Sequence, residues 1–272
     1  MDLCAVLIDA DPGRSLGGSV SRDLVAMTKY LQSAGCCRGV VFSTHPLPLP
    51  AGFVRLEALD EDELLLQCRR LAPGYTKLFF FVSGHGYQEA DRDGDEVDGQ
   101  DEFVVVTGAA SRLTDDQIHS VLTKLSPTNE VFAVCDTCHS GTMLDLAWSW
   151  DGQRWYPADK SSTVGTMLRL PVFSLSACTD AQLAACDIGP TSGFGGALTV
   201  HFIDNDLLPA LLSADVRGLT NCLRPILSPL HQMPVCHSSR PGTWQPAPRH
   251  LSINNTYDDN RKKKQTDSEK QS

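Results

Sequence analysis

Residues 77–88 read KLFFFVSGHGYQ. Leu78 to Val82 form an unbroken apolar run with no polar alternation, the pattern of a strand buried on both faces. The run stops abruptly at Ser83-Gly84-His85-Gly86, where a histidine between two glycines adds nothing to packing. The same event recurs at 131–141, VFAVCDTCHSG: an apolar run ends in Cys135, Asp136, Cys138, His139 and Gly141.

Working outward, short apolar runs alternate with helical spacings. CAVLIDA (4–10) is β-rich and leads into the loop DPGRSLGG; Val20, Leu24, Met27 and Leu31 then predict a helix over 20–33. GVVFST (39–44) reads as a strand, 60–70 as a short amphipathic helix and EFVVVTG (102–108) as a further strand. LTDDQIHSVLTKL (113–125) reads as a helix with Thr114 as N-cap and Asp115 and Asp116 in its first turn. PVFSLSA (171–177) repeats the strand pattern, and helices are expected near 195–204 and 214–224. Strands alternating with helices predict an α/β fold, a mostly parallel sheet flanked by helices on both faces. In such sheets chemistry collects beyond the carboxyl ends of the strands. His85 and Cys138, 53 positions apart, are therefore expected on one rim.

Composition sets outer limits. The chain has 272 residues, 42% hydrophobic content and a formal net charge of −10, which argues against nucleic acid as a main partner. No apolar run approaches the ~20 residues that span a bilayer, and MDLCAVLIDADPG lacks a basic n-region, so neither membrane nor secretion is expected. Ten cysteines at irregular spacing read as free thiols in a reducing, cytoplasmic setting, which leaves the sequon at Asn254–Thr256 without meaning. Residues 147–170 read as a surface linker. Residues 251–272, with RKKKQTDSEKQS, read as a disordered polar tail whose basic run is a solvated segment in preference to a nuclear signal.

A thiol attacks a carbonyl as thiolate, and an imidazole that takes its proton can return it to a leaving amine. A glycine after the histidine admits close approach of the backbone, which makes the amides of Gly86 and Cys138 candidate oxyanion donors. His followed about 50 residues later by Cys is the caspase-type order. The alternatives are a Cys135/Cys138 redox pair, a zinc site and a structural thiol. No second Cys/His cluster completes four zinc ligands, and Cys135 reads as a small buried residue. The run 89–102, EADRDGDEVDGQDE, holds eight acids and partly imitates an EF-hand with Glu102 at the twelfth position, but its glycine is misplaced and it follows a strand, so an EF-hand is rejected.

Taken together, FFFVSGHGYQ, DGDEVDGQDEFVV and VCDTCHSGTMLDL resemble the metacaspase family of caspase-like cysteine peptidases. SLSACTDAQLA (174–184), GFGGALT (193–199) and HQMPVCHSS (231–239) resemble its small-subunit part. The resemblance covers nearly all of the chain up to about residue 240 and implies a caspase–haemoglobinase fold. The expected layout is a single catalytic domain over 1–250, with a large-subunit-like part (1–146), the linker and a small-subunit-like part (171–250). The order resembles type I members; the long prodomain many of them carry has no counterpart in this sequence. The resemblance implies a His85/Cys138 dyad and a pocket for Arg or Lys made by Asp23, Ser83 and Asp136. In the first loop, counting back from Met27 selects Asp23 and counting from Gly18-Ser19 selects Arg22; a basic substrate favours Asp23. It further implies a Ca²⁺ site of Asp101, Asp115, Asp116 and Asp145. The expected protein is a monomeric, calcium-dependent endopeptidase acting on protein or peptide substrates. It is expected to process itself in the linker, where Arg154, Lys160 and Arg169 suit the acidic pocket and Lys160, in ADKSS, reads as the most accessible. The rivals are a catalytically silent caspase-like binding protein and a thiol–disulfide oxidoreductase.

Overall fold

In the computed structural model the described residues are 2–92, 94, 96, 98–107, 111–158, 168–186 and 195–240. The 77–82 run lies at the middle of the main sheet. Strand β4 (Lys77–Gly84) pairs in parallel with β1 (Leu3–Ala10) on one side and with β8 (Glu130–Thr137) on the other. Parallel β2 (Gly39–Phe42) and β3 (Phe53–Leu56) continue beyond β1, and parallel β11 (Val172–Ser176) continues beyond β8. Antiparallel β12 (Val235–Ser238), β9 (Trp148–Trp150) and β10 (Trp155–Pro157) close that edge. Among the described residues the order is β10-β9-β12-β11-β8-β4-β1-β2-β3.

The pleat explains the continuous apolar run. Phe79 and Phe81 join a core layer with Leu24 and Met27 of α1 (Ser19–Ser33), Phe202 of α4 (Ala197–Asp204) and Leu219 and Leu223 of α6 (Val216–Leu227). Leu78, Phe80 and Val82 face the opposite layer, with Leu64 and Cys68 of α2 (Glu61–Leu71) and Ile118, Val121 and Leu122 of α3 (Asp115–Thr123). Both faces are covered, so no position of β4 from 78 to 83 can be polar without a partner. This is the α/β architecture the sequence predicts, a mostly parallel sheet with helices on both faces.

Three differences from the sequence reading have physical causes. The 102–108 strand is β6 (Gln100–Thr107), but it leaves the main sheet and forms an antiparallel three-stranded sheet with β5 (Gly86–Ala90) and β7 (Ser111–Thr114). The chain turns out of β4 at Gly84, whose φ of 134° only glycine holds at ease. The expected linker 147–170 begins as a β9–β10 hairpin on the main sheet, because Trp150 is buried with Trp155 packed edge-on 5.5 Å from it. A short helix, α5 (Leu208–Leu212), was too brief to show a period. Thr114 caps α3 as expected, in a full capping box with Gln117. Lys160 and the tail 251–272 lie outside the described residues.

Candidate active site

Ser83 is in register with Asp136 and Gly84 with Thr137, so His85 and Cys138 are each the first residue past a matched strand end. The two strands lie so close here that a Cβ built on Gly86 would fall 1.9 Å from the Cys138 carbonyl oxygen. The 53-residue separation in sequence is thus closed by parallel register, and Gly86 is the residue that permits the approach.

The groups around the thiol come from three strand ends. Cys138 Sγ accepts a hydrogen bond from the Ala184 amide at 3.3 Å, on the segment beyond β11. Burial pushes the thiol pKa up, opposed by that amide. No hydrogen bond joins His85 to Cys138 in this conformation; resting sites often hold their catalytic pair apart until substrate enters. Ser15 Oγ lies 2.6 Å from His85 Nε2, and the Tyr87 ring leans on the imidazole at 5.9 Å while stacking on Phe103 at 5.4 Å. His139 takes a left-handed turn (φ 49°), and its ring engages the Asp180 carbonyl, away from catalysis. Cys135 is fully buried and its thiol is pushed up to about 12 by desolvation, which removes it as a nucleophile or redox partner.

Asp23, Ser83 and Asp136 converge. Ser83 Oγ donates to Asp23 Oδ2 at 2.8 Å, and the Gly196 amide donates to both Asp23 oxygens at 3.1 and 3.0 Å. The Thr199 amide and hydroxyl donate to Asp136 Oδ2 at 2.8 and 2.7 Å. Asp136 Oδ1 is buried with no hydrogen-bond partner. Burial raises both carboxyls, Asp23 to about 7 with added repulsion from Asp136, and Asp136 to about 6. Asp23 points inward beside Ser83, whereas Arg22 is exposed with Nη1 on the Gly17 carbonyl. Gly195 and Gly196 cover the pair: a Cβ on either would strike Asp23 or Asp136 within 2.3 Å.

A second acidic group lies at the β6–α3 junction. Oxygens of Glu96, Glu102 and Asp115, all buried, fall within 4.8 Å of one another. Oxygens bound to one Ca²⁺ at ~2.4 Å each can be no farther apart than about that distance, so the spacing and the all-oxygen donor set fit this ion. Desolvation raises Glu102 to about 9, aided by the Asp180 charge, and raises Asp115 to about 7, with Asp116 and Asp101 adding repulsion. Of the four expected ligands, Asp115 is in the group, Asp101 and Asp116 are its charged neighbours, and Asp145 joins no three-ligand group among the described residues. Glu102 and Glu96 are the additions; both lie in the acidic run, where Glu102 stood out only at the twelfth place of a rejected motif. Glu102 also reaches the loop that follows β8, since Thr142 Oγ1 donates to its carboxylate while the Thr142 amide donates to Asp180 at 3.0 Å.

Residues 63–147 match the family described as metacaspase, peptidase C14 domain. Metacaspase-2 of Arabidopsis thaliana is 34% identical over 155 residues, covering 52% of this chain and 35% of that protein. Metacaspase-1A of Aspergillus niger is 46% identical over 79 residues, covering 28% of this chain and 20% of its own length. This chain thus spans a fifth to about a third of the length of these two relatives. A Geobacter sulfurreducens protein of solved structure superposes with TM-score 0.52 at 20% identity, over 92% of this chain and 96% of its own, a likeness of fold.

Proposed function

We propose that this metacaspase, with its peptidase C14 segment at residues 63–147, is a cysteine endopeptidase that cleaves after Arg or Lys through Cys138 and His85. The observation that carries the reading is the β4–β8 register, which delivers an imidazole and a thiol to one strand edge with Gly86 against the Cys138 backbone.

Burial disfavours the thiolate of Cys138. His85 takes the proton as Sγ bonds to the scissile carbonyl carbon. The oxyanion accepts hydrogen bonds from the Cys138 and Gly86 amides. The imidazolium gives its proton to the leaving amine, which departs and leaves a thioester; water then attacks with His85 again as base, and Cys138 is released as thiol. A substrate guanidinium or ammonium would supply the cation that buried Asp23 and Asp136 lack, with the unpartnered Asp136 Oδ1 as its acceptor. That placement requires Gly195 and Gly196 to move off the carboxylates.

Calcium fits the Glu96, Glu102 and Asp115 oxygens, with Asp101 and Asp116 beside them. When bound, it would supply the positive charge that these acids lack. The chain itself couples that site to the nucleophile: Glu102 holds Thr142, four residues after Cys138. Self-processing fits Arg154, exposed on the β9–β10 hairpin, and Arg169, itself exposed between buried Leu168 and Leu170. The test is hydrolysis of an Arg-ended fluorogenic peptide with calcium and with chelator. Cleavage should require calcium and vanish in Cys138→Ala; an Asp-ended peptide cut equally well would overturn the specificity.

A further inference from the structure

The loop between β1 and α1 was legible only as a loop, yet it reaches the imidazole. Asp11 is buried, and its carboxylate is fixed at both oxygens: Oδ1 accepts from the Ser15 amide at 2.8 Å, and Oδ2 from the Leu16 amide at 2.9 Å. Its own amide donates to Asp9 Oδ1 at 3.0 Å, and Asp9 Oδ2 in turn accepts from Ser43 Oγ at 2.6 Å. Asp11 therefore cannot swing, and it also accepts from Ser15 Oγ at 2.8 Å. A hydroxyl has one proton. Because Ser15 gives that proton to Asp11, it can only accept from the group on its other side, His85 Nε2, 2.6 Å away. The neighbouring backbone fixes the same ring, since the His85 amide donates to the Ala10 carbonyl at 3.0 Å.

We infer that Asp11 and Ser15 are positioning residues for the catalytic histidine, holding His85 in the tautomer with the proton on Nε2. The lone pair is then on Nδ1, the only ring nitrogen left to receive the Cys138 proton. When Nδ1 takes that proton, the imidazolium charge is met by the buried Asp11 carboxylate through the Ser15 hydroxyl, with Asp11 Oδ1 itself 4.0 Å from Nε2. The inference rests on the Cys138/His85 peptidase reading and adds two residues to it.

Ser15 is exposed on a loop, so its substitution leaves the fold intact. The experiment measures kcat and KM for the Arg-ended peptide in wild type, Ser15→Ala, Ser15→Thr and Asp11→Asn, and records the His85 imidazole nitrogen NMR shifts. Ser15→Ala should lower kcat about tenfold, the worth of one net hydrogen bond, and leave KM unchanged. Ser15→Thr, which keeps the hydroxyl, should restore most of kcat. Asp11→Asn should lower kcat at least as much as Ser15→Ala. A merely structural loop gives a different result: the loop feeds α1, which carries Asp23, so its disturbance would raise KM for a basic substrate. An unchanged kcat in Ser15→Ala, or a loss carried by KM, overturns the inference. If wild type fails to cleave any Arg or Lys peptide, the peptidase reading falls instead, and the NMR arm still decides the relay. Nitrogen shifts of an Nε2-protonated ring in wild type, lost in Ser15→Ala, support it; an Nδ1-protonated ring in wild type refutes it.

Discussion

Gly86→Ala is the substitution that most directly strains the proposed site. The added Cβ would lie 1.9 Å from the Cys138 carbonyl oxygen, 2.9 Å from its carbon and 3.2 Å from Thr137 Cβ. Real Cβ contacts stop near 3.0 Å, so the backbone on one side must retreat by at least about 1 Å. No flexible side chain can yield instead, since both nearest atoms are main chain at the end of a parallel pair locked over eight residues. Overpacking of this kind destabilises by roughly 1–3 kcal/mol, and a ~1 Å misplacement of reacting groups can lower turnover by about 100-fold. The assay pairs thermal unfolding with Arg-peptide hydrolysis at saturating substrate, with Gly13→Ala as control because a Cβ there meets nothing within 4 Å. Gly86→Ala should unfold several degrees lower and lose nearly all turnover, while Gly13→Ala should match wild type. Wild-type turnover in Gly86→Ala would refute the placement of His85 against Cys138.

Other outcomes follow from the same geometry. Cys138→Ala should abolish hydrolysis, whereas Cys135→Ala should keep most of it, as its thiol is buried and pushed up to about 12; kcat of the two proteins checks this. Asp23 and Asp136 bind protons more tightly folded than unfolded, so between about pH 4 and 7 the substrate-free protein should lose stability as pH rises, and denaturant midpoints across that range should show it. The same ionisation makes the pocket negative, so KM for an Arg-ended peptide should fall as pH rises through 6 to 7, and Asp136→Asn should flatten that trend. Glu102→Gln should weaken calcium activation and leave Cys138 in place, which calcium titration of hydrolysis would reveal; activation at wild-type calcium levels would remove Glu102 from the ion site.

The sheet was legible because its signals are local. Five apolar residues in a row at 78–82 mark a strand covered on both faces, and the matched polar ends SGHG and DTCHSG mark one rim. The motif singled out Asp23, Ser83 and Asp136 as a group, and the helix that buries Asp23 and exposes Arg22 brings Asp23 to Ser83. What escaped depends on contacts across the chain. A buried Trp150 puts part of the expected linker into the sheet, because packing against Trp155 overrides an irregular sequence. Asp11 and Ser15 carry no motif; their role exists only once β1 and β4 end side by side. Glu96 and Glu102 were visible as acids but not as a group, since eight acids in one loop do not reveal which ones the fold buries.

The central claim is that Cys138 is the nucleophile of a site that accepts a basic side chain. An Arg-ended acyloxymethyl ketone tests it in one step, because the attacking sulfur displaces the carboxylate and remains bound as a thioether that mass spectrometry can locate. One adduct per chain is expected, on Cys138, formed with calcium present and suppressed in His85→Ala and Asp136→Asn. Labelling of Cys135 or of an exposed thiol such as Cys37 or Cys186 in its place, or equal labelling by an Asp-ended reagent, would contradict it.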